Sequence, residues 1–140
     1  MSASATDLVT ADQAAVQLTQ VQPRRRLRAA MAATRLGRGL IALLFVGAGI
    51  AKLTGPAPFL AHMAQHGVPG ALLWAVAALE IGAGTAVLLG WRLRFSAGAL
   101  ALFCLATAFV FHLNLADHAE RTSFFKDLAI GGGLMILAAS

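Results

Sequence analysis

The sequence predicts an all-α fold: an integral membrane four-helix bundle, both termini cytoplasmic, with a short outer interfacial helix between spans 1 and 2. Three observations predict it. The chain of 140 residues is 59% hydrophobic and only 12% charged, whereas a soluble domain carries about a quarter charged residues. The stretch Trp74–Trp91 reads WAVAALEIGAGTAVLLGW, an apolar run with a tryptophan at each end. Tryptophan favours the water–lipid interface, and this spacing on a helix is about 25 Å, close to one hydrocarbon thickness. The basic residues are clustered rather than dispersed. One group is Arg24, Arg25, Arg26 and Arg28, with Arg35 and Arg38 following; the other is the turn Trp91-Arg92-Leu93-Arg94. Two crossings separate them, so the positive-inside rule puts both in the cytoplasm.

The elements follow in order. Residues 1–35 read as a disordered polar and basic cytoplasmic tail, with at most a transient helix over Ala11–Gln20, because apolar residues are too sparse there for a core. Residues 36–140 form the transmembrane domain. Span one runs from Gly37 to Thr54, with Gly47, Gly49 and Ala51 small enough to admit a neighbouring helix. Gly55-Pro56-Ala57-Pro58 stops it. A short helix over Phe59–His66 then lies on the outer surface, ended by Gly67 and Pro69. Span two is the tryptophan-bracketed stretch. Ala78, Gly82 and Ala86 make one small-residue stripe, and Ala77, Ala83 and Gly84 make another, which predicts a helix packed on all sides. Span three runs from Phe95 to about Leu113, and Asn114–Ser123 reads as a polar outer loop. Span four, Phe124–Ala139, is short for a full crossing.

This topology brings the ionisable residues to one layer. Glu80 sits inside span two, where an unpaired charge costs about 3 kcal/mol or more. Lys52, His112, Lys126 and Asp127 fall at the same outer end of the other three spans. One pocket is therefore expected, with Glu80 paired to Lys52, Lys126 or His112. Glu80 and His112 are the candidate catalytic residues; Lys52, Glu80, His112, Lys126 and Asp127 are the candidate ligand-binding set. Arg24, Arg25, Arg26, Arg28, Trp74 and Trp91 are the candidate lipid anchors.

Several chemistries lack support. A single cysteine, Cys104, excludes an internal disulfide and a CxxC redox pair. His62 and His66 have i, i+4 spacing, but no third ligand accompanies them, so no metal is expected. Only His112 lies in a span, which argues against a bis-histidine haem. There is no GxGxxG, Walker loop or Ser-His-Asp set for flavin, nicotinamide, nucleotide or acyl chemistry. The net charge is +5, and most of the basic residues behind it sit in the two clusters, so the expected partner is anionic lipid rather than nucleic acid.

The motifs together resemble the DoxX family of small four-helix bacterial membrane proteins. The matching pieces are Arg38, then Leu44-Phe45-Val46-Gly47-Ala48-Gly49-Ile50-Ala51-Lys52-Leu53, and the connector Phe59…Gly67-Val68-Pro69. Glu80 follows, with Leu88-Leu89-Gly90, Phe111-His112 and Phe125-Lys126-Asp127-Leu128-Ala129-Ile130-Gly131-Gly132. The family often has Asn where this chain has Asp127, an extra acid that changes the local charge balance. The resemblance implies a bacterial inner-membrane protein associated with quinone-linked thiosulfate oxidation or with oxidoreductase complexes handling thiol and oxidative stress.

Two functions are carried forward. In the first, the chain is a quinone-interacting membrane subunit of an oxidoreductase complex, with no covalently bound cofactor and quinone as its ligand. In the second, it is a non-catalytic subunit that anchors or stabilises a larger membrane complex. Other membrane subunits or a second copy of the chain are the expected protein partners. The first function predicts a pocket near Glu80, His112 and Lys52; the second predicts paired charges and no pocket.

Overall fold

The computed structural model describes the backbone of residues 5–140, with side chains from Arg24 onward and at Thr10 and Gln13. Five helices make up the described residues: α1 Ala5–Thr54, α2 Ala57–Gln65, α3 Leu72–Leu89, α4 Leu93–Phe111 and α5 His118–Ala139. Four stretches are long and apolar enough to cross a bilayer: Arg24–Thr54, Leu72–Leu89, Leu93–Phe111 and His118–Ala139. The chain divides into two compact units, Met1–Gly37 and Arg38–Ser140.

In the first unit, the sequence placed a disordered tail, whereas the structure writes residues 5–35 into α1. Residues 1–4 of that tail lie outside the described residues. Ala, Leu, Gln and Arg fill much of the stretch and are strong helix formers. Arg24, Arg25, Arg26 and Arg28 are exposed on it.

In the second unit, the core is built from Phe45 of α1, Val87 of α3, Ala97, Leu100, Ala101 and Cys104 of α4, and Leu134 of α5. Small residues set the helix separations. A Cβ on Gly49 would sit 2.6 Å from Ile81 and 3.0 Å from the Ala77 carbonyl, and a Cβ on Gly84 would sit 3.1 Å from Val46. The backbones of α1 and α3 therefore approach closely along one face of each helix.

That face differs from the expectation in part. Gly49 is buried, but Gly47 and Ala51 are exposed. On α3, the buried side is Leu73, Ala77, Glu80, Gly84 and Val87, joined by Ala86. Ala78 and Gly82 of the first small stripe point away from it, and nothing lies near Gly82. Helix α3 is thus packed on one side and open on the other. A small-residue period marks a surface that permits close packing without stating which such surface is used.

The turns are settled by local chemistry. Helix α2 ends in a Schellman motif: Gly67 takes φ 67°, its N–H bonds the Ala64 carbonyl, and the Val68 N–H bonds Met63. Gly90, φ 72°, ends α3 in the same way, with Trp91 N–H on Ala86. The fourth span is longer than expected, because α5 begins at His118 rather than Phe124. Asp117 accepts the Glu120 backbone N–H at 3.0 Å, a D-x-x-E cap that turns half of the expected polar loop into helix.

Candidate functional site

The end of the bundle where α1 stops and α5 starts is the polar end. All four acidic residues of the second unit lie there, two of them in the expected set. A cavity of about 430 Å³ opens between the helices, and its lining includes Lys52, Glu80, His112, Lys126 and Asp127. The five ligand-binding candidates thus meet in one place.

Glu80 is almost fully buried, with its side chain 4% exposed. The Lys52 ammonium donates to both of its oxygens, at 2.9 and 2.8 Å. Of the three partners expected for Glu80, Lys52 is the one used. The Lys52 Nζ also lies 5.0 Å from the centre of the Phe59 ring, a cation–π distance that further offsets its desolvation.

A second polar group occupies the opposite wall. His112 ends α4, and its Nδ1 lies 2.8 Å from Glu120 Oε2 while its Nε2 lies 3.9 Å from Asp127 Oδ2. The Thr107 hydroxyl donates to Asp127 at 3.2 Å. A histidine whose two nitrogens face two carboxylates is held in orientation from both sides. Lys126 also lines the cavity; it is exposed, and its ammonium has no hydrogen-bond or ion-pair partner among the described residues.

The remaining lining is apolar and aromatic. Phe59, Phe103 and Phe111 contribute rings. His62 stacks on Phe111 at 5.1 Å, and its ring centre is 6.3 Å from that of His112. Helix α2, the expected short helix between spans one and two, covers the cavity, with Met63 buried and Phe59 and His62 facing in. Cys104 lies at the inner end, buried between core and cavity.

Glu120 and His62 were missed as site residues. Glu120 was assigned to a loop; its signal was the spacing from Asp117, three residues before it. His62 reads from the sequence only as a potential metal ligand with His66, whereas Phe59, His62 and Met63 line the cavity and His66 is exposed outside it. Trp74 and Trp91 lie near opposite ends of α3, 51% and 66% exposed, as membrane-interface residues would be; Trp91 lies just beyond the helix rather than within it.

Four candidate spans, with a charge-lined cavity at one end of the second unit, define a polytopic helical membrane protein. Comparison with known proteins gives its family. The DoxX family matches over residues 33–113, and the chain belongs to it. The match covers the stretch from Lys52 through His112, while α5, with Lys126 and Asp127, lies beyond it. The inner membrane protein YqjF of Escherichia coli (strain K12) is 43% identical over 103 residues, covering 74% of this chain and 79% of its own length. No solved structure matches the chain.

Proposed function

We propose that this integral membrane protein is the quinone-interacting subunit of an oxidoreductase complex in the bacterial inner membrane, with the cavity as its quinone site. The observation that carries this reading is the convergence of Lys52, Glu80, His112, Lys126 and Asp127 on one aromatic-walled cavity. A quinone head group needs apolar walls for its ring and donors for its two carbonyl oxygens. Phe59, Phe103 and Phe111 supply walls; Lys52, Lys126 and the imidazoles supply donors. A cavity of about 430 Å³ lies within the usual range for small-molecule sites. The inner-membrane location rests also on the name of the Escherichia coli relative. If both basic clusters face the cytoplasm, the cavity lies toward the outer surface.

The second reading, a non-catalytic anchoring subunit, draws support from the Lys52–Glu80 pair. These two groups satisfy one another without a ligand, as a structural lock would.

Native mass spectrometry of the protein extracted in mild detergent, with an organic extract assayed for quinone, separates the two. The quinone reading expects near-stoichiometric quinone on the wild type and its loss in His112→Phe with the helical content retained. Copurifying subunits with no quinone on this chain would sink it in favour of the anchor.

A further inference from the structure

The opposite end of the second unit holds a site of different chemistry. A groove of about 440 Å³ follows the seam between α4 and α5. It is lined by Gly98, Leu102 and Leu105 of α4 and by Met135 and Ala138 of α5, with Arg94 at one end. From Arg94 to Leu105 is eleven residues of helix, about 16 Å. That is roughly half the hydrocarbon thickness of a bilayer, the depth of one leaflet. The floor is open at Gly98, where a Cβ would meet nothing within 4 Å.

The charges at this end are unbalanced. The second unit has four acidic residues, Glu80, Asp117, Glu120 and Asp127, and all belong to the other end. Three arginines remain here. Arg38 is spent on the Val87 and Leu88 carbonyls. Arg92 lies over the Trp91 ring at 5.7 Å. Arg94 is exposed and makes no hydrogen bond or ion pair among the described residues. A guanidinium at a membrane interface, always charged and with no acid of its own, is matched by a phosphate, which it can hold through two parallel N–H bonds.

We propose that this groove binds one anionic glycerophospholipid, its phosphate on Arg94 and one acyl chain laid along the α4–α5 seam past Gly98. The groove supplies length and apolar walls for a chain of one leaflet, and Arg94 supplies the headgroup contact. The site is separate from the quinone cavity and stands or falls independently of it.

The test uses the full chain, purified in mild detergent, delipidated, and titrated with phosphatidylglycerol or with phosphatidylcholine of the same acyl chains. Native mass spectrometry counts the lipids retained. The wild type is expected to hold one phosphatidylglycerol per chain with a preference of about fivefold over phosphatidylcholine. Arg94→Gln removes the preference. Arg121→Gln, the same charge loss at the other end, leaves it intact. Gly98→Leu fills the groove and lowers retention of both lipids; because that position is open, its thermal midpoint and helical content stay close to the wild type. Equal retention of the two lipids by the wild type would overturn the proposal. So would a preference that survives Arg94→Gln, or a dimer that excludes lipid from this face.

Discussion

Lys52 and Glu80 stand 28 residues apart on different helices, and the single ammonium of one reaches both carboxylate oxygens of the other. The pair ties α1 to α3 at the edge of the cavity. Both side chains are largely withdrawn from solvent, 13% and 4% exposed, so removing one partner strands the other. Glu80→Leu is expected to cost about 3–5 kcal/mol, and Lys52→Met a similar amount. The double variant Lys52→Met, Glu80→Leu should recover most of that loss, because no buried charge is left unpaired. Thermal unfolding of the three variants in one detergent closes the cycle. A double variant as unstable as either single one would show that the pair is not the tie described here.

Arg38 performs a related task at the other end. Its guanidinium donates to the Val87 and Leu88 carbonyls at 2.7 and 2.8 Å, adding charged donors to the carbonyl end of α3, where Val87 also accepts the Gly90 N–H. Gly90 sits against that guanidinium with φ 72°, where a Cβ would collide with it. Gly90→Ala therefore meets both a left-handed backbone and a blocked space. A loss of about 1–2 kcal/mol is expected from the backbone alone. Arg38→Met should cost about 1 kcal/mol, the net worth of the lost hydrogen bonds, because Val87 keeps the Gly90 N–H and Leu88 is exposed to solvent. Combining the two should cost less than their sum, since the collision disappears with the guanidinium. Melting curves that add in full would refute that coupling.

The four spans were legible because length, hydropathy and bracketing tryptophans are properties of the chain that no neighbour can alter. The convergence of Lys52, Glu80, His112, Lys126 and Asp127 was legible for a similar reason: counting crossings puts them at one end, and a buried acid demands a partner. What was not legible depended on choosing between faces. Ala78/Gly82 and Ala77/Gly84 are equally small, and only the approach of Gly49 and Val46 decides that the second set is buried. The start of α5 was lost to its polarity. His118 through Ser123 read as loop by composition, although a single cap at Asp117 suffices to start a helix there. Glu120 was lost with it as a site residue.

That cap carries its own prediction. Asp117→Ala removes the acceptor for the Glu120 N–H and should cost about 1 kcal/mol. The first turn of α5 would fray, and with it the 2.8 Å contact between Glu120 and His112. Hydrogen exchange should rise at residues 118–121 and remain unchanged through the buried part of α5 around Leu134. Asp117→Asn, which keeps a side-chain acceptor, should behave nearly as the wild type. Equal exchange in the Ala variant and the wild type would mean that the helix starts without the cap.

The two faces of α3 and the glycines opposite them make the sharpest contrast. Gly49 presses on Ile81 and on the Ala77 backbone, so Gly49→Leu must drive α1 and α3 apart. Overpacking of a close helix contact typically costs about 1–3 kcal/mol, and here the separation would also pull Lys52 away from Glu80. Gly82 has nothing within 4 Å of its Cβ position, so Gly82→Leu adds only a side chain on the open side of α3. The expected result is a strongly lowered melting midpoint for Gly49→Leu and an unchanged one for Gly82→Leu in the isolated chain. Comparing Gly82→Leu in native membranes adds a second readout. If the isolated chain tolerates it but extraction from membranes loses copurifying subunits, the open side of α3 is where another protein docks, through the small-residue packing that membranes favour. If both readouts are unchanged, that side faces lipid.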